Sequence, residues 1–301
     1  MRCSYHPAYQ APPSGGGPMN KHPLLKERLL AEGILAAGDI LEPEMIPIAT
    51  ALLIHRREYL DKLQSGNLSA AELRRLGLPW SQALWRRSRL ASGGTLLAAR
   101  TALTDGLAGN LAGGAHHAFP DHGEGFCILN DVAIAIAQLR AEGTVERAAV
   151  IDLDVHQGNG TAAIFETASE IFTFSMHGER NYPTAKMRST LDVALPDGTG
   201  DAEYLDLLGR YLPSVLDRSG ADLAFYLAGV DVAQGDRFGK LALTEQGIRL
   251  RDRRVIEAVR SRQIPLVIVL AGGYASSPAR TAELHAHVFR EAVAHELSSA
   301  S

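Results

Sequence analysis

The chain reads as an α/β protein: a single parallel sheet flanked by helices on both faces. Three observations predict it. Continuous apolar runs at 148–151, 225–230 and 266–271 have the unbroken hydrophobicity of strands covered on both sides. From residue 130 onward, strand-like and helix-like stretches alternate to the end without a linker-like break. The runs also lead into glycine-rich turns or carboxylates, and it is outside the carboxyl edge of such sheets that ligands bind. With 301 residues, 46% of them hydrophobic, there is ample material for a core, and residues 1–301 are expected to form one domain.

The elements follow in order. Residues 11–18 (APPSGGGP) are too rich in proline and glycine for regular structure and are expected to form a loop on the rim of the site. Helical patterns occupy 20–32, 43–63 with a break, and 69–76, the last opened by the capping box Ser69-x-x-Glu72. Trp80, Trp85 and the basic run 86–89 lead into a helix at 93–106, whose small residues point to burial. A helix at 130–142 precedes the strand that opens with the apolar run 148–151 and carries Asp152, Asp154 and His156, and a helix at 160–168 and a strand at 171–176 follow it. An irregular connection is expected from Asn181 to Gly200. Helix 202–218, strand 223–230, helix 244–262, strand 266–271 and helix 279–296 complete the alternation.

Charge and composition exclude several classes. A net charge of −4, from 30 basic and 34 acidic residues, gives no global electrostatic case for direct nucleic-acid binding or for anionic membranes. The basic run 249–254 falls on a helix, where a solvated face is the expected reading. Cys3 and Cys127 are far apart and make no disulfide framework, which suits a reducing compartment. The start of the chain lacks the apolar core of a signal peptide, and no apolar run is long enough to span a bilayer. A soluble, cytoplasmic protein is expected, with its oligomeric state open.

The chemistry concentrates in Ile151-Asp152-Leu153-Asp154-Val155-His156-Gln157-Gly158-Asn159-Gly160. In an extended chain, side chains at i, i+2 and i+4 share a face, so Asp152, Asp154 and His156 emerge together as potential metal-site residues. Taken alone, the motif could equally be a strand end whose acids cap the next helix. Three further segments shift that balance: the tandem His116 and His117 after Gly113 and Gly114, Asp231 after the apolar run at 225–230, and Tyr274 after Gly272 and Gly273. Each has an ordinary structural reading. Together they assemble metal ligands, two imidazoles and a phenol near strand ends.

The motifs GGAHH (113–117), GEGFCILND (123–131), 151–160, GVD (229–231) and GGY (272–274) resemble those of the histone deacetylase family, within the arginase/deacetylase superfamily. They stand in the family's order, and the similarity runs from about Pro18 to the last helix. Residues 236–244 (DRFGKLALT) and the HQGNG form of the metal motif resemble the class IV branch. The resemblance implies an eight-stranded α/β/α sheet, the arginase/deacetylase fold. It implies a divalent metal held by Asp154, His156 and Asp231, two carboxylates and an imidazole with positions left open, as in catalytic zinc sites. Ligands without a thiolate would also accept Fe(II) or Co(II).

By the same resemblance, His117 takes the proton from the attacking water and returns it to the leaving amine, and His116 acts electrostatically, oriented by Asp152. Tyr274 would donate to the oxygen that becomes negative. Gly125, Phe126 and Tyr182 correspond to positions lining a narrow acyl-lysine channel. A structural potassium ion is implied, held by carbonyls of Asp152, Asp154, His156 and Met176 and by the side chains of Asp152 and Ser175. Class IV relatives favour long fatty acyl chains, so fatty-acyl lysine becomes a plausible substrate beside acetyl-lysine.

Two departures matter. Asn159 stands where many members place an aspartate beside the second histidine, and a neutral partner raises the pKa of His117 less. The stretch Leu78-Pro79-Trp80-Ser81 has no acid at the rim position where several relatives hold the substrate backbone. A deacetylase of small amines such as acetylpolyamines is the rival enzyme, although such relatives usually carry acidic rim residues. A two-metal ureohydrolase is set aside because Gly158 and Val232-Ala233 stand where it needs further carboxylates. A non-catalytic binding module would be expected to lose ligands or the tyrosine, and this chain keeps all of them.

Overall fold

A computed structural model describes residues 1–10 and 20–299; the loop expected at 11–18 lies outside the described residues. Eight strands make one sheet: β1 (Arg2–Ser4), β2 (Ile40–Leu41), β3 (Leu107–Asn110), β4 (Ala148–Asp152), β5 (Ile171–Gly178), β6 (Leu191–Leu195), β7 (Leu223–Leu227) and β8 (Leu266–Val269). Their order is β2-β1-β3-β8-β7-β4-β5-β6, and every pairing is parallel. The period of two sorts the central strands between two cores. Ala149, Ile151, Ala224, Tyr226, Leu266 and Ile268 join one. Their chain neighbours Val150, Phe225 and Val267 join the other.

Helices cover both faces. On the first lie α1 (Lys21–Ala31), α8 (Asp201–Ser219), α9 (Glu245–Arg260) and α10 (Pro278–Ser299); on the second, α5 (Gln82–Asp105), α6 (Asp131–Ala141) and α7 (Asn159–Phe165). Three short helices, α2 (Ile48–Ala51), α3 (Arg57–Ser65) and α4 (Ala70–Leu76), build a satellite core against Leu84 and Trp85 of α5. The Ser69–Glu72 capping box of α4 is formed in both directions. No helix among the described residues is long and apolar enough to cross a membrane. Cys3 and Cys127 are free and buried.

Several sequence expectations need correction. The connection from Asn181 to Gly200 contains β6, an edge strand in which exposed Asp192 and Ala194 alternate with buried Val193 and Leu195. The helix expected at 93–106 starts at Gln82, because the Ser81 hydroxyl accepts the Leu84 N–H and caps it there. The pattern at 43–63 has its expected break, between α2 and α3, but its first helix begins only at Ile48. The run 249–254 is not wholly solvated: Arg251 is completely buried, while Arg249 and Arg253 pair with Glu291 from α10.

Candidate metal centre and active site

The ladder of β4 ends at Asp152, opposite Ser175 of β5 and Leu227 of β7. Beyond it the chain bends, so Asp154 and His156 do not sit on a continuing strand as the period of two suggests. Side-chain carboxylates replace the ladder instead: Asp152 Oδ1 accepts the Asp154 N–H (3.2 Å) and Asp154 Oδ1 accepts the His156 N–H (2.9 Å). From the neighbouring β7 loop, Asp231 Oδ1 accepts the Val155 N–H at 3.0 Å. These bonds turn Asp154, His156 and Asp231 toward one another, and one ligand atom from each falls within 4.8 Å of the others.

The set fits a divalent ion. All three side chains are buried, and Asp231 Oδ2 accepts no hydrogen bond of proper geometry, lying 3.2 Å from His156 Nδ1. Burial and Asp154 push the Asp231 pKa up to about 6, so two carboxylates this close invite a cation between them. Gly272 closes the cradle: a Cβ there would overlap Asp231 and Asp154, and its N–H instead donates to Asp154 Oδ2 at 2.6 Å.

The paired histidines pack with ring centres 4.1 Å apart. Their loop is fixed by Asp131 at the start of α6, which accepts the N–H groups of Gly114 (3.1 Å) and Ala115 (2.8 Å) and the Thr95 hydroxyl (2.5 Å). His116 Nδ1 lies 2.7 Å from Asp152 Oδ2 and its Nε2 3.9 Å from Asp154 Oδ1. Burial opposes a charge on His116, but these carboxylates outweigh it and raise the pKa to about 9.

His117 has the opposite environment. Its Nδ1 contacts Asn159 Oδ1 at 2.6 Å, and Asn159 Nδ2 donates to Glu124 Oε1 at 2.7 Å. That second bond orients the amide, so His117 carries its proton on Nδ1 and leaves Nε2 as the acceptor. Burial, then the positive charges of His116 and His156, hold the His117 pKa well below the ordinary imidazole range. Burial opposes the charge on Glu124, yet hydrogen bonds from His122, Tyr182 and Asn159 keep its pKa down at about 2.

Two cavities meet at this cluster. The outer, about 340 Å³, is walled by Phe126, Tyr182 and Phe238; the inner, about 100 Å³, runs past Leu129 toward Lys21 and Arg87. His117, Gly125, Phe126, His156 and Tyr274 line both. Gly125 is required where it stands: its φ is +54°, and a Cβ would strike the His117 ring. Phe126 follows in the same left-handed region at φ +68°, tied by its N–H to the Leu76 carbonyl at 2.8 Å. Tyr182 packs edge-on against His117, 5.0 Å between centres. Burial with Asp231 and Asp154 drives the Tyr274 pKa well above its ordinary value, so the phenol keeps its proton.

A family model described as the histone deacetylase domain matches residues 18–291. The chain belongs to the histone deacetylase family. It is similar to histone deacetylase 2 of Arabidopsis thaliana, 32% identical over 250 residues that cover 80% of this chain and 65% of that protein. It is also similar to the histone deacetylase-like amidohydrolase of Pseudomonas aeruginosa, 30% identical over 75% of this chain and 63% of that one. An uncharacterized Picosynechococcus protein is 43% identical, over 97% of this chain and 96% of that one. The crystal structure of the HDA15 HD domain superposes with a TM-score of 0.80 at 20% identity, covering 99% of this chain and 92% of that one, a likeness of fold.

Within this histone deacetylase fold, the ten predicted site residues other than Ser175 and Met176 all border the two cavities or touch their lining: Asp152 lies behind, 2.7 Å from His116 Nδ1, and Asp231 beside Asp154 and His156. Ser175 and Met176 lie one layer back on β5, Ser175 in register with Asp152 and its hydroxyl 2.9 Å from His177 Nδ1. Sequence reasoning missed other contributors. Glu124 and Asp131 lie inside the quoted motif at 123–131, where a signal existed. Lys21 gave none: it is buried and donates to the Ala271 carbonyl at 2.9 Å, with its Nζ 3.1 Å from His285 Nε2. Arg251, expected on a solvated face, instead donates to the Gly229 carbonyl (2.6 Å) and the Leu153 carbonyl (3.3 Å), directly behind Asp231 and Asp154.

Proposed function

We propose that this chain is a zinc-dependent lysine deacylase, cleaving the amide between an acyl group and a lysine side chain. The observation that carries the reading is a neutral His117, its Nδ1 held by Asn159 and its Nε2 left as the acceptor, beside the converging Asp154, His156 and Asp231 at the meeting point of two cavities. When bound, a divalent ion there polarises the amide carbonyl and makes water easier to deprotonate. His117 takes the proton from that water and later delivers it to the leaving amine, with Asn159 and Glu124 holding its tautomer. His116, kept cationic by Asp152, supplies a fixed charge. Tyr274 donates its phenolic hydrogen to the developing oxyanion. Gly125, Phe126 and Tyr182 enclose the lysine's methylene chain in the outer cavity.

A structural potassium ion at Asp152, Asp154, His156, Ser175 and Met176, kinship with the class IV branch and a cytoplasmic location belong to the same reading. The inner cavity bears on acyl length. One water needs on the order of 10–15 Å³, so the inner space exceeds what an acetyl methyl requires. We therefore expect catalytic efficiency to rise from acetyl toward longer acyl groups, each buried methylene contributing about 0.8 kcal/mol.

The test is a panel of one lysine peptide acylated from acetyl to myristoyl, with metal analysis of the purified enzyme. Hydrolysis that improves beyond acetyl, with one divalent ion per chain, is the expected result. A best rate on acetyl would return the assignment to a conventional deacetylase, and two ions per chain would remove the single-metal mechanism.

A further inference from the structure

The charge around the outer cavity opposes the charge of the molecule. The chain carries −4 overall, yet the charged side chains lining the mouth are Arg75, Arg180 and Lys240, and no carboxylate lines it. All three are exposed. They come from three separate segments and are fixed by main-chain bonds. The Arg75 and Leu76 carbonyls accept the N–H groups of Gly125 (3.3 Å) and Phe126 (2.8 Å), so Arg75 belongs to the channel wall. Asn181 joins the other two segments: its Nδ2 donates to the Phe238 carbonyl (2.6 Å) and its Oδ1 accepts the Lys240 N–H (3.3 Å). Lys240 Nζ donates to the Arg180 carbonyl at 3.0 Å, which keeps its charge at this rim.

Nearby acids leave these cations largely uncompensated. Arg180 has a long contact to exposed Asp197 at 4.0 Å, and no ion pair is formed by Arg75 or Lys240 among the described residues. Asp236 is committed to backbone, accepting from Phe238 (2.9 Å), Gly239 (3.0 Å) and Tyr274 (2.7 Å). Glu124 keeps its charge but forms no ion pair with the rim cations, its oxygens facing Asn159 (2.7 Å) and His122 (3.7 Å). A one-signed ring of charge around a cleft with apolar walls concentrates the field on whatever enters it.

Resting on the deacylase reading above, we infer that the substrate is negatively charged around the acylated amine: an acyl-lysine flanked by aspartate and glutamate. An acyl-lysine in a basic segment, or an acylated polyamine, would bring its own positive charges to the three cations. The rim therefore selects on the residues beside the lysine, while the acyl group is selected below.

The test uses three peptides that share one acyl-lysine and differ only in flanks: acidic, neutral and basic. Hydrolysis and the binding of fluorescein-labelled copies by anisotropy are both followed from low to high salt. An exposed ion pair changes affinity by up to about fivefold, so three cations should give the acidic peptide on the order of tenfold or more over the basic one, narrowing as salt rises. Reversing the charges in an Arg75→Glu/Arg180→Glu/Lys240→Glu variant should invert the order, and the single Arg75→Gln and Lys240→Gln variants should each weaken it if the triple variant does not fold. Equal binding of acidic and basic peptides, or a basic preference, overturns the inference. Tighter binding of the acidic peptide without turnover of any peptide supports the rim assignment and overturns the deacylase reading instead.

Discussion

His116 and His117 are adjacent in the chain and in space, yet a carboxylate faces one and an amide the other, and their pKa values move in opposite directions. The His117→Ala variant should lose about 10²- to 10⁴-fold in kcat while its metal content stays that of the parent, since the ring is not among the ligands. Retained turnover would remove His117 from the mechanism. Asn159→Asp puts a charge where Oδ1 now lies, 2.6 Å from His117 Nδ1. It should raise the His117 pKa, and because the base works deprotonated, the acidic limb of the kcat/KM profile should move to higher pH. A profile that stays in place would show that another group sets that limb. Asp154, His156 and Asp231 were legible in the sequence because each sits in a motif at a strand end. Glu124 was hidden because it acts through Asn159, and a two-step relay leaves no spacing to read.

At the scale of elements, legibility followed burial. The four strands read from sequence, β8, β7, β4 and β5, are contiguous in the sheet, where continuous apolar runs are required on both faces. β1, β2 and β3 are two to four residues long, and β6 is half exposed, so none carries a run that stands out. The loops matter as much as the strands. Asp236 ties the Tyr274 loop to the wall carrying Phe238, whose ring lies 4.8 Å from that of Tyr274. Asp236→Ala frees three backbone donors at once, and the two part-buried ones, on Gly239 and Tyr274, cost up to about 1–3 kcal/mol each if left unsatisfied. We expect a lowered melting temperature and a kcat reduced about tenfold or more, as misplaced catalytic groups typically produce. A variant with normal kcat would show that the phenol is positioned without this clamp.

For the molecule as a whole, buried neutral histidines couple stability to acidity. His55 joins the satellite core to the site: its Nδ1 lies 2.9 Å from the Phe119 carbonyl, and its Nε2 accepts the Asn130 N–H at 3.0 Å. Burial lowers its pKa from 6.5 to about 4, and burial does the same to His177. Between those values the unfolded chain binds protons that the folded chain refuses, so stability should fall as pH drops from about 6.5 to about 4. For His55 the loss is on the order of 3 kcal/mol. Denaturant unfolding of the parent and of His55→Gln across that window checks it, because the variant should show a shallower slope. Equal slopes would exclude His55 as a source. No pattern in the sequence announces such a residue, since its effect depends on contacts from segments more than sixty positions away.

The guanidinium behind the ligand strands has a consequence for supply. Arg251 holds the Leu153 and Gly229 carbonyls and pairs with Asp252 at 2.8 Å. Burial opposes its charge, but Asp252, Tyr226 and Tyr204 raise its pKa, so this cation is permanent. The backbone on which Asp154 and Asp231 stand is therefore braced from the interior, in contrast to small zinc domains whose fold depends on the ion. Under the proposed metal-dependent reaction, filling the site would be an exchange with the medium rather than an event of folding, and the fraction of working enzyme would follow how much of the right ion the surroundings offer.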